Sequence, residues 1–205
     1  MTRSIMIAGS GKMARDVGLY FLGRGFDVAW LSRDAERLSE LERWIRKKER
    51  RLPKAGDASF FVVGSPGIPS SDVFIESINE SEEDKKALLK AVDPLLSEKT
   101  LRLSNSSSIE PSEVHPCCAG LHFFYPVELT GFVEAVFPDG YPMNERKRLL
   151  AFLDETKLDC VEEEESTDSA FAVNRLLLPL QAEAMALLLD GWDPKVVDEV
   201  SSSSM

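Results

Sequence analysis

His122 and Glu134 are the residues of this sequence best suited to acid–base chemistry as a pair. His122 is one of only two histidines and lies in the aromatic run 120–127. Glu134 lies in the apolar stretch 132–136 and is the nearest downstream acid in such a setting. A histidine buried among aromatic side chains needs a polar partner. The sequence therefore predicts a histidine–carboxylate pair.

The elements that must position this pair are predicted from the periodicity of the apolar residues. Short apolar runs alternate with longer runs of helical period, which is typical of a parallel sheet with crossover helices. The predicted strands cover residues 5–8, 27–31, 60–63, 73–78, 101–103, 121–124, 132–136 and 159–163. The predicted helices cover residues 13–24, 35–50, 82–96, 144–156 and 169–189. The expected fold class is α/β, with a doubly wound and mostly parallel sheet.

A glycine-rich turn follows the first predicted strand and has the pattern G-x-G-x-x-A. Gly9 would permit the tight turn, Gly11 would let a pyrophosphate approach the backbone, and Ala14 would keep helix and strand close. Lys12 and Met13 complete the turn and are further candidates for cofactor binding. This position between a strand and a helix predicts a dinucleotide site on a Rossmann-like fold, with an ordinary glycine turn as the alternative.

The end of the second predicted strand should read the ribose of the dinucleotide. An acidic residue is expected there for NAD, but the sequence has Ser32 and Arg33. A hydroxyl group and a guanidinium can hold a 2′-phosphate, which favours NADP. Alternatively, Arg33 points to solvent and Asp34 serves as the N-cap of the next helix.

Composition limits the classes of partner. The 205 residues carry a net charge of −11, which argues against a nucleic acid or an anionic membrane as the main partner. The three cysteines match neither a disulfide framework nor the spacing of metal ligands, so no metal is expected and a reducing cytoplasm fits. We also expect no signal peptide and no membrane span, because no stretch approaches about 20 apolar residues.

Four segments occur in an order that carries a family resemblance. They read V-F-I-E-S-I-N-E at 73–80, S-N-S-S-S at 104–108, G-L-H-F-F-Y-P-V at 120–127 and F-A-V-N-R-L-L at 171–177. Glu134 follows the histidine of the third segment by twelve residues. Together these motifs resemble the L-3-hydroxyacyl-CoA dehydrogenase family, and the resemblance runs in register from about residue 5 to residue 190.

The resemblance implies a hydride transfer between C3 of a 3-hydroxyacyl-CoA, or a related 3-hydroxy acid, and a nicotinamide cofactor. His122 would take the proton from the 3-hydroxyl group during oxidation and return it during reduction. Glu134 would orient the imidazole and stabilise its charged form. Ser107 and Asn174 match the serine and asparagine that hydrogen-bond the substrate oxygens in this family.

The resemblance also implies further contacts with the cofactor. Glu80 and Lys85 match positions near the nicotinamide ribose and the phosphates, and Asn105 is a third candidate in this region. The family resemblance implies NAD, whereas Ser32 and Arg33 favour NADP. The choice between the two cofactors therefore stays open from the sequence.

Two departures distinguish this sequence from the family pattern. Tyr125 replaces an asparagine after the two phenylalanines, so hydrogen bonding near the histidine must differ. Glu128 places a negative charge where a proline is usual, which could repel a CoA phosphate or suit a different acid substrate.

A third departure is the length of the chain. Residues 1–165 are predicted to form the dinucleotide-binding domain, and 166–205 to hold only the first long helix of the family's helical domain and a stub. The apolar helix 169–189 is then expected to pack against its copy in a homodimer.

Two functions other than an oxidoreductase also fit the sequence. The chain could be a non-catalytic protein that binds and senses a dinucleotide. It could also be a structural dimerisation module on the same fold, with the last helix as its functional part.

Overall fold

The computed structural model describes residues 4–52, 55–164 and 171–203. The chain divides into two compact units, Met1–Ser169 and Ala170–Met205. The first unit contains one sheet with the strands β1 (Ser4–Ala8), β2 (Asp27–Ser32), β3 (Ala58–Val62), β4 (Val73–Glu76), β5 (Leu101–Ser104), β6 (Cys118–Phe123), β7 (Phe132–Phe137) and β8 (Asp159–Glu164). Its helices are α1 (Lys12–Leu22), α2 (Ala35–Glu49), α3 (Glu82–Val92), α4 (Pro111–Val114), α5 (Val127–Thr130) and α6 (Met143–Thr156), with a 3-10 helix at Asp93–Leu95.

The sheet has the strand order β3-β2-β1-β4-β5-β6-β7-β8. Neighbouring strands run parallel except β6 and β7, which pair antiparallel. The strand order reverses between β1 and β4, where a doubly wound sheet leaves a crevice at the carboxyl ends of its strands. The predicted α/β class and doubly wound, mostly parallel sheet are therefore confirmed.

The central strands are buried on both faces, which fixes the strand ends that border this crevice. In β1, Ile5 and Ile7 belong to one apolar cluster, while Met6 and Ala8 belong to a second cluster on the other face. This alternation follows from the two-residue period of a strand, and burial of both faces is typical of parallel sheets. The loops at the carboxyl ends are thus anchored on a rigid base.

Several predicted boundaries differ from the observed ones by one to four residues, and three of these differences have local reasons. Strand β4 ends at Glu76 and not at residue 78, because the Ile78 N–H donates to the Glu76 side chain at 2.7 Å. Helix α3 ends at Val92, since Pro94 lacks an amide hydrogen and the chain tightens into the 3-10 helix. Strand β6 begins at Cys118 because its first residues pair with β5.

The described part of the second unit, residues 171–203, contains the helices α7 (Ala172–Leu189) and α8 (Pro194–Ser203). The sequence prediction missed α8, although Pro194 at its start has a backbone angle suited to a first helical turn. The predicted helix start at residue 169 and the predicted domain boundary at 165/166 lie outside the described residues.

Helix α7 is more apolar than the sequence analysis allowed for. Its 18 residues have a mean hydropathy of 1.3 and none of them is buried, so by length and composition it could cross a membrane. The expectation that no stretch reaches this length and apolarity is therefore wrong for α7. Length and composition alone do not place the helix in a membrane.

Candidate active site

The glycine turn between β1 and α1 has the geometry of a nucleotide-binding turn. Gly9 has φ +138°, and a Cβ atom there would come within 2.2 Å of the Ser77 carbonyl oxygen, so only glycine fits. Gly11 is the N-cap of α1, and a Cβ atom added to it would meet nothing within 4 Å. Ala14 is fully buried, as expected for close packing of helix and strand. The backbone at the N-terminus of α1 is thus open to a ligand.

A cavity of about 640 Å³ opens at the carboxyl ends of the central strands. Its volume lies within the range of about 300–1,000 Å³ that is usual for small-molecule and cofactor sites. Most of the predicted site residues line it, namely Gly9, Gly11, Lys12, Met13, Ser32, Arg33, Glu80, Asn105, Ser107 and His122. The structure therefore brings the glycine turn, the serine segment and the histidine to one place.

His122 and Glu134 form the predicted pair. They are directly opposite in the register of the antiparallel strands β6 and β7, so their side chains share one face of the sheet. His122 Nδ1 lies 2.7 Å from Glu134 Oε2, and Glu134 is fully buried. Because a carboxylate only accepts hydrogen bonds, Nδ1 donates and Nε2 is the ring nitrogen that can take up a proton.

Asn105 links β6, the strand that contains His122, to the segment that follows β4. Its side-chain oxygen accepts a hydrogen bond from the Phe123 N–H at 2.9 Å, and its amide nitrogen donates to Ser77 Oγ at 3.1 Å. The Phe124 ring packs beside the His122 ring, with 4.4 Å between the two ring centroids. Asn105 therefore positions the histidine strand, in addition to lining the cavity.

Glu80 anchors the serine segment that contains Ser107. Its Oε1 accepts hydrogen bonds from the backbone N–H groups of Ser107 and Ser108, at 2.9 and 3.0 Å, and from the Ser106 hydroxyl at 2.5 Å. Burial acts to raise the pKa of Glu80. The hydrogen bonds from the three serines and the charge of Lys85 outweigh this effect, so the pKa lies below its ordinary value.

Replacing Glu80 with glutamine is expected to lower the free energy of unfolding by about 1 kcal/mol near neutral pH, since solvent screens this partly exposed carboxylate. A depressed pKa means that the ionised form stabilises the fold above the ordinary glutamate pKa of about 4.3. That contribution is lost as the pH falls through the lower folded value. Urea unfolding between pH 3 and 7 measures the difference, with Glu83→Gln in the first turn of the following helix α3 as the control.

Lys85 lies beneath the cavity and not on its wall. Its ammonium is fully buried and lies 2.8 and 2.7 Å from the two carboxylate oxygens of Glu76, which is also fully buried. Ser104 Oγ donates to Glu76 at 2.7 Å, and Lys85 lies 3.5 Å from Glu80. Sequence analysis did not single out Glu76. The signal was available, because Glu76 is an acid in an apolar strand, as is Glu134.

Residues 4–143 of this chain match a known family, that of the 3-hydroxyacyl-CoA dehydrogenase NAD binding domain. This chain belongs to that family. The family resemblance of the sequence is thereby confirmed, and NAD is the cofactor named for the matching domain.

Individual relatives agree with this assignment. The mitochondrial hydroxyacyl-coenzyme A dehydrogenase of Sus scrofa is 28% identical over 211 residues, which cover 91% of this chain and 66% of the relative. A probable 3-hydroxybutyryl-CoA dehydrogenase of Bacillus subtilis is 26% identical over 230 residues, covering 99% and 76% of the two chains. This chain thus spans slightly less than two thirds of the mammalian relative.

Solved structures share the fold of this 3-hydroxyacyl-CoA dehydrogenase family member. The (S)-3-hydroxybutyryl-CoA dehydrogenase of Ralstonia eutropha has a TM-score of 0.78 at 21% identity, covering 95% of this chain and 75% of that one. An NAD+-dependent dismutase, the 5-dehydrogenase of 5-formyl-3-hydroxy-2-methylpyridine 4-carboxylic acid, has a TM-score of 0.87 at 21% identity, covering 100% and 71%. At such identities the likeness shows the fold alone.

The departures from the family pattern now have a structural setting. The ammonium of Lys12 lies over the Tyr125 ring, 3.4 Å from its centroid, in a cation–π interaction. Glu128 forms an ion pair with Arg24 at 2.8 Å. The negative charge of Glu128 is therefore balanced within the chain.

The structure gives the setting of Arg33 and Asp34 in the turn that follows β2. Asp34 is the N-cap of α2, since its side chain accepts hydrogen bonds from the backbone N–H groups of Glu36 and Arg37. Arg33 lines the cavity and also forms an ion pair with Asp84 of α3, with Nη2 3.0 Å from Oδ1. Arg33 thus does not simply point to solvent.

Asn174 lies on α7, in the second unit of the chain. The other three predicted catalytic residues, His122, Glu134 and Ser107, lie in the first unit. The participation of Asn174 in the site therefore stays a prediction.

Proposed function

We propose that this chain catalyses the NAD-dependent interconversion of a 3-hydroxyacyl-CoA and the corresponding 3-ketoacyl-CoA. The observation that carries the proposal is the His122–Glu134 pair, whose histidine lines the same cavity as the glycine turn. An acid–base pair beside a dinucleotide turn is the arrangement that a hydroxyl oxidation requires. The family match and the names of the relatives support the substrate class.

His122 is the proposed general base in oxidation and general acid in reduction. During oxidation, Nε2 takes the proton from the 3-hydroxyl group as the O–H bond breaks. The positive imidazolium that forms is stabilised by the buried carboxylate of Glu134, which also fixes the orientation of the ring. NAD, when bound, supplies the hydride acceptor.

Ser107 and Asn174 are the proposed ligands of the substrate oxygens. Glu80 fixes the backbone of Ser107 through the Ser107 N–H, and Ser107 lines the cavity. These side chains would hold the oxygen on C3 of the substrate in line with His122, and such alignment lowers the barrier of the reaction. For Asn174 the proposal rests on the family resemblance of the segment 171–177.

NAD is the proposed cofactor, and the residues of the cavity fit it. The open backbone at Gly11 and the N-terminus of α1 would hold the pyrophosphate. Ser32 and Arg33 would lie at the adenosine ribose. We propose NAD over NADP because the family match names NAD and because Arg33 is already paired with Asp84.

The test is the absorbance of the reduced nicotinamide with acetoacetyl-CoA as substrate, run in parallel with NADH and NADPH. Free acetoacetate serves as the matched substrate without CoA. Oxidation of NADH with acetoacetyl-CoA, and much slower oxidation with acetoacetate, is the expected result. Turnover of acetoacetate alone would assign a free hydroxy acid. Nucleotide binding without turnover of either would contradict the enzymatic function.

The non-catalytic alternatives are less well supported. A dinucleotide sensor has no need for a histidine at the cavity whose ring a buried carboxylate orients. A pure dimerisation module has no need for the cavity or the glycine turn at its edge. The proposed enzyme accounts for all of these features.

The proposed partner of α7 is a second copy of this chain. Five large apolar side chains of the helix are 45–84% exposed, and they are Leu176, Leu178, Leu180, Met185 and Leu189. A soluble protein is expected to cover such a surface, and a two-fold dimer covers it with the same surface. The three free cysteines favour the reducing cytoplasm as the location of the protein. The net charge of −11 argues against a nucleic acid or an anionic membrane as its main partner.

Replacing Leu180 with asparagine is expected to weaken this dimer by roughly 30-fold in Kd, the effect of losing a central apolar contact. Sedimentation velocity over a dilution series measures the change, with Gln181→Asn as the control on the same helix. A wild-type chain that sediments as a monomer at all concentrations would contradict the dimer. Aggregation that detergent micelles or lipid vesicles reverse would indicate a membrane surface.

A further inference from the structure

The ion pair between Arg33 and Asp84 connects two elements at the cavity. Arg33 follows β2 and lines the cavity, whereas Asp84 lies in the first turn of α3. Their atoms Nη2 and Oδ1 are 3.0 Å apart. The two side chains are 53% and 38% exposed, so solvent and ligands can reach the pair.

We propose that Asp84 makes this chain selective for NAD over NADP by holding the guanidinium of Arg33. The inference rests on the nucleotide-binding part of the proposed function and on no part of the catalytic chemistry. It assigns a role in selectivity to a residue that lies 51 positions away in the sequence from the arginine it controls.

An arginine that reads a 2′-phosphate needs its N–H groups available to the phosphate oxygens. A guanidinium binds phosphate most tightly through two parallel N–H donors. In this structure Arg33 directs one of its terminal nitrogens to a carboxylate. A 2′-phosphate would have to displace Asp84 from this nitrogen or share the guanidinium with it.

Asp84 also opposes a 2′-phosphate directly. A phosphate monoester carries a charge of about −1.5 to −2 near neutral pH, and like charges at short range repel. The adenosine ribose of NAD has uncharged hydroxyl groups in place of this phosphate. The carboxylate therefore disfavours NADP much more than NAD.

The position of Asp84 is fixed from two sides. The Ser81 hydroxyl accepts a hydrogen bond from the Asp84 backbone N–H as the N-cap of α3. The Asn79 amide donates to the second carboxylate oxygen at 3.4 Å. A helix N-terminus also favours a negative charge. Asp84 is thus a fixed anchor, and Arg33 is the longer and more adaptable member of the pair.

The positive charge of Arg37, a second arginine at the cavity, is also paired with a carboxylate. Arg37 lines the cavity, and its Nε lies 3.4 Å from Oδ2 of Asp34. This end of the cavity therefore contains two guanidinium groups, each paired with a carboxylate. Two arginines near the ribose do not by themselves make an NADP site, because their charges are already neutralised within the chain.

The test measures the binding of NADH and NADPH to the full chain by isothermal titration calorimetry. The proteins are the wild type, Asp84→Asn, Arg33→Ala and the double variant. The control is Glu82→Gln, which removes one negative charge from the same helical turn but from a residue paired with Lys86. The ratio of the two affinities within one protein is the readout, since it is insensitive to any unfolded fraction.

Wild-type protein is expected to prefer NADH. Asp84→Asn should tighten NADPH binding by about fivefold or more, the scale of releasing one exposed ion pair and removing one repulsive charge, with NADH nearly unchanged. Arg33→Ala in the Asp84→Asn background should abolish this gain, because the gain depends on the released guanidinium. Glu82→Gln should leave the ratio unchanged.

Three results would overturn the inference. They are a wild type that binds NADPH as tightly as NADH, an unchanged ratio in Asp84→Asn, and a gain that survives the loss of Arg33. Failure of the wild type to bind either nucleotide would instead refute the cofactor site of the proposed function. The two failures are therefore distinguishable in the same titrations.

Discussion

Replacing His122 with alanine is expected to lower kcat for acetoacetyl-CoA reduction by about 10²- to 10⁴-fold. The imidazole is the proposed proton donor in that direction, and the chain has one other histidine, His115, which does not line the cavity. The affinity for NADH should stay nearly unchanged, because the imidazole acts on the hydroxyl group of the substrate. Absorbance of NADH gives kcat, and calorimetry gives the nucleotide Kd.

The loss of the ring also removes the partner of the buried Glu134 carboxylate on β6, which is expected to destabilise the fold. His122→Gln serves as the second variant, since its amide can donate a hydrogen bond to the carboxylate but cannot transfer a proton to the ketone oxygen of the substrate. Both variants should be equally inactive if His122 is the general acid. Near-normal turnover in a folded His122→Gln protein would contradict the catalytic role.

Replacing Lys85 with methionine is expected to lower the free energy of unfolding by about 3–5 kcal/mol. The substitution leaves the fully buried Glu76 carboxylate without its main counter-charge, at the carboxyl end of a central strand. This loss is a large fraction of the 5–15 kcal/mol by which a domain is usually stable. Urea unfolding followed by circular dichroism measures it.

The adjacent Lys86 provides a matched control for this substitution. Lys86 is half exposed and pairs with Glu82 one turn earlier, so Lys86→Met should cost no more than about 1 kcal/mol. Adding Glu76→Gln to Lys85→Met should restore part of the loss. The added amide is uncharged, keeps an oxygen that accepts from the Ile78 N–H, and has an NH2 group that can donate to the Ser104 hydroxyl. Equal costs for Lys85→Met and Lys86→Met would refute the structural role.

The Lys85 variant also separates two roles of this lysine. The sequence resemblance placed Lys85 near the cofactor, whereas its ammonium is enclosed below the cavity. If the role is structural, the folded fraction of Lys85→Met should bind NADH with a nearly normal Kd. A large rise in that Kd without a loss of stability would favour direct contact with the cofactor.

The sequence by itself predicted the class of fold and many of the residues that line the cavity. Strand and helix periods are local properties, because each reports which face of a short segment is apolar. The glycine turn is equally local, since Gly9 adopts a conformation that other residues rarely adopt. Glu134 could be paired with His122 because a buried acid in an apolar strand requires a partner.

Only the tertiary structure decided the geometry of this pair and which other side chains meet. The cross-strand register of β6 and β7 brings His122 opposite Glu134. The burial of Lys85 on Glu76, the serine contacts of Glu80 and the pairing of Arg33 with Asp84 also depend on packing between elements far apart in sequence. Such contacts follow from how the sheet and helices fit together, and no local pattern of residue types specifies them.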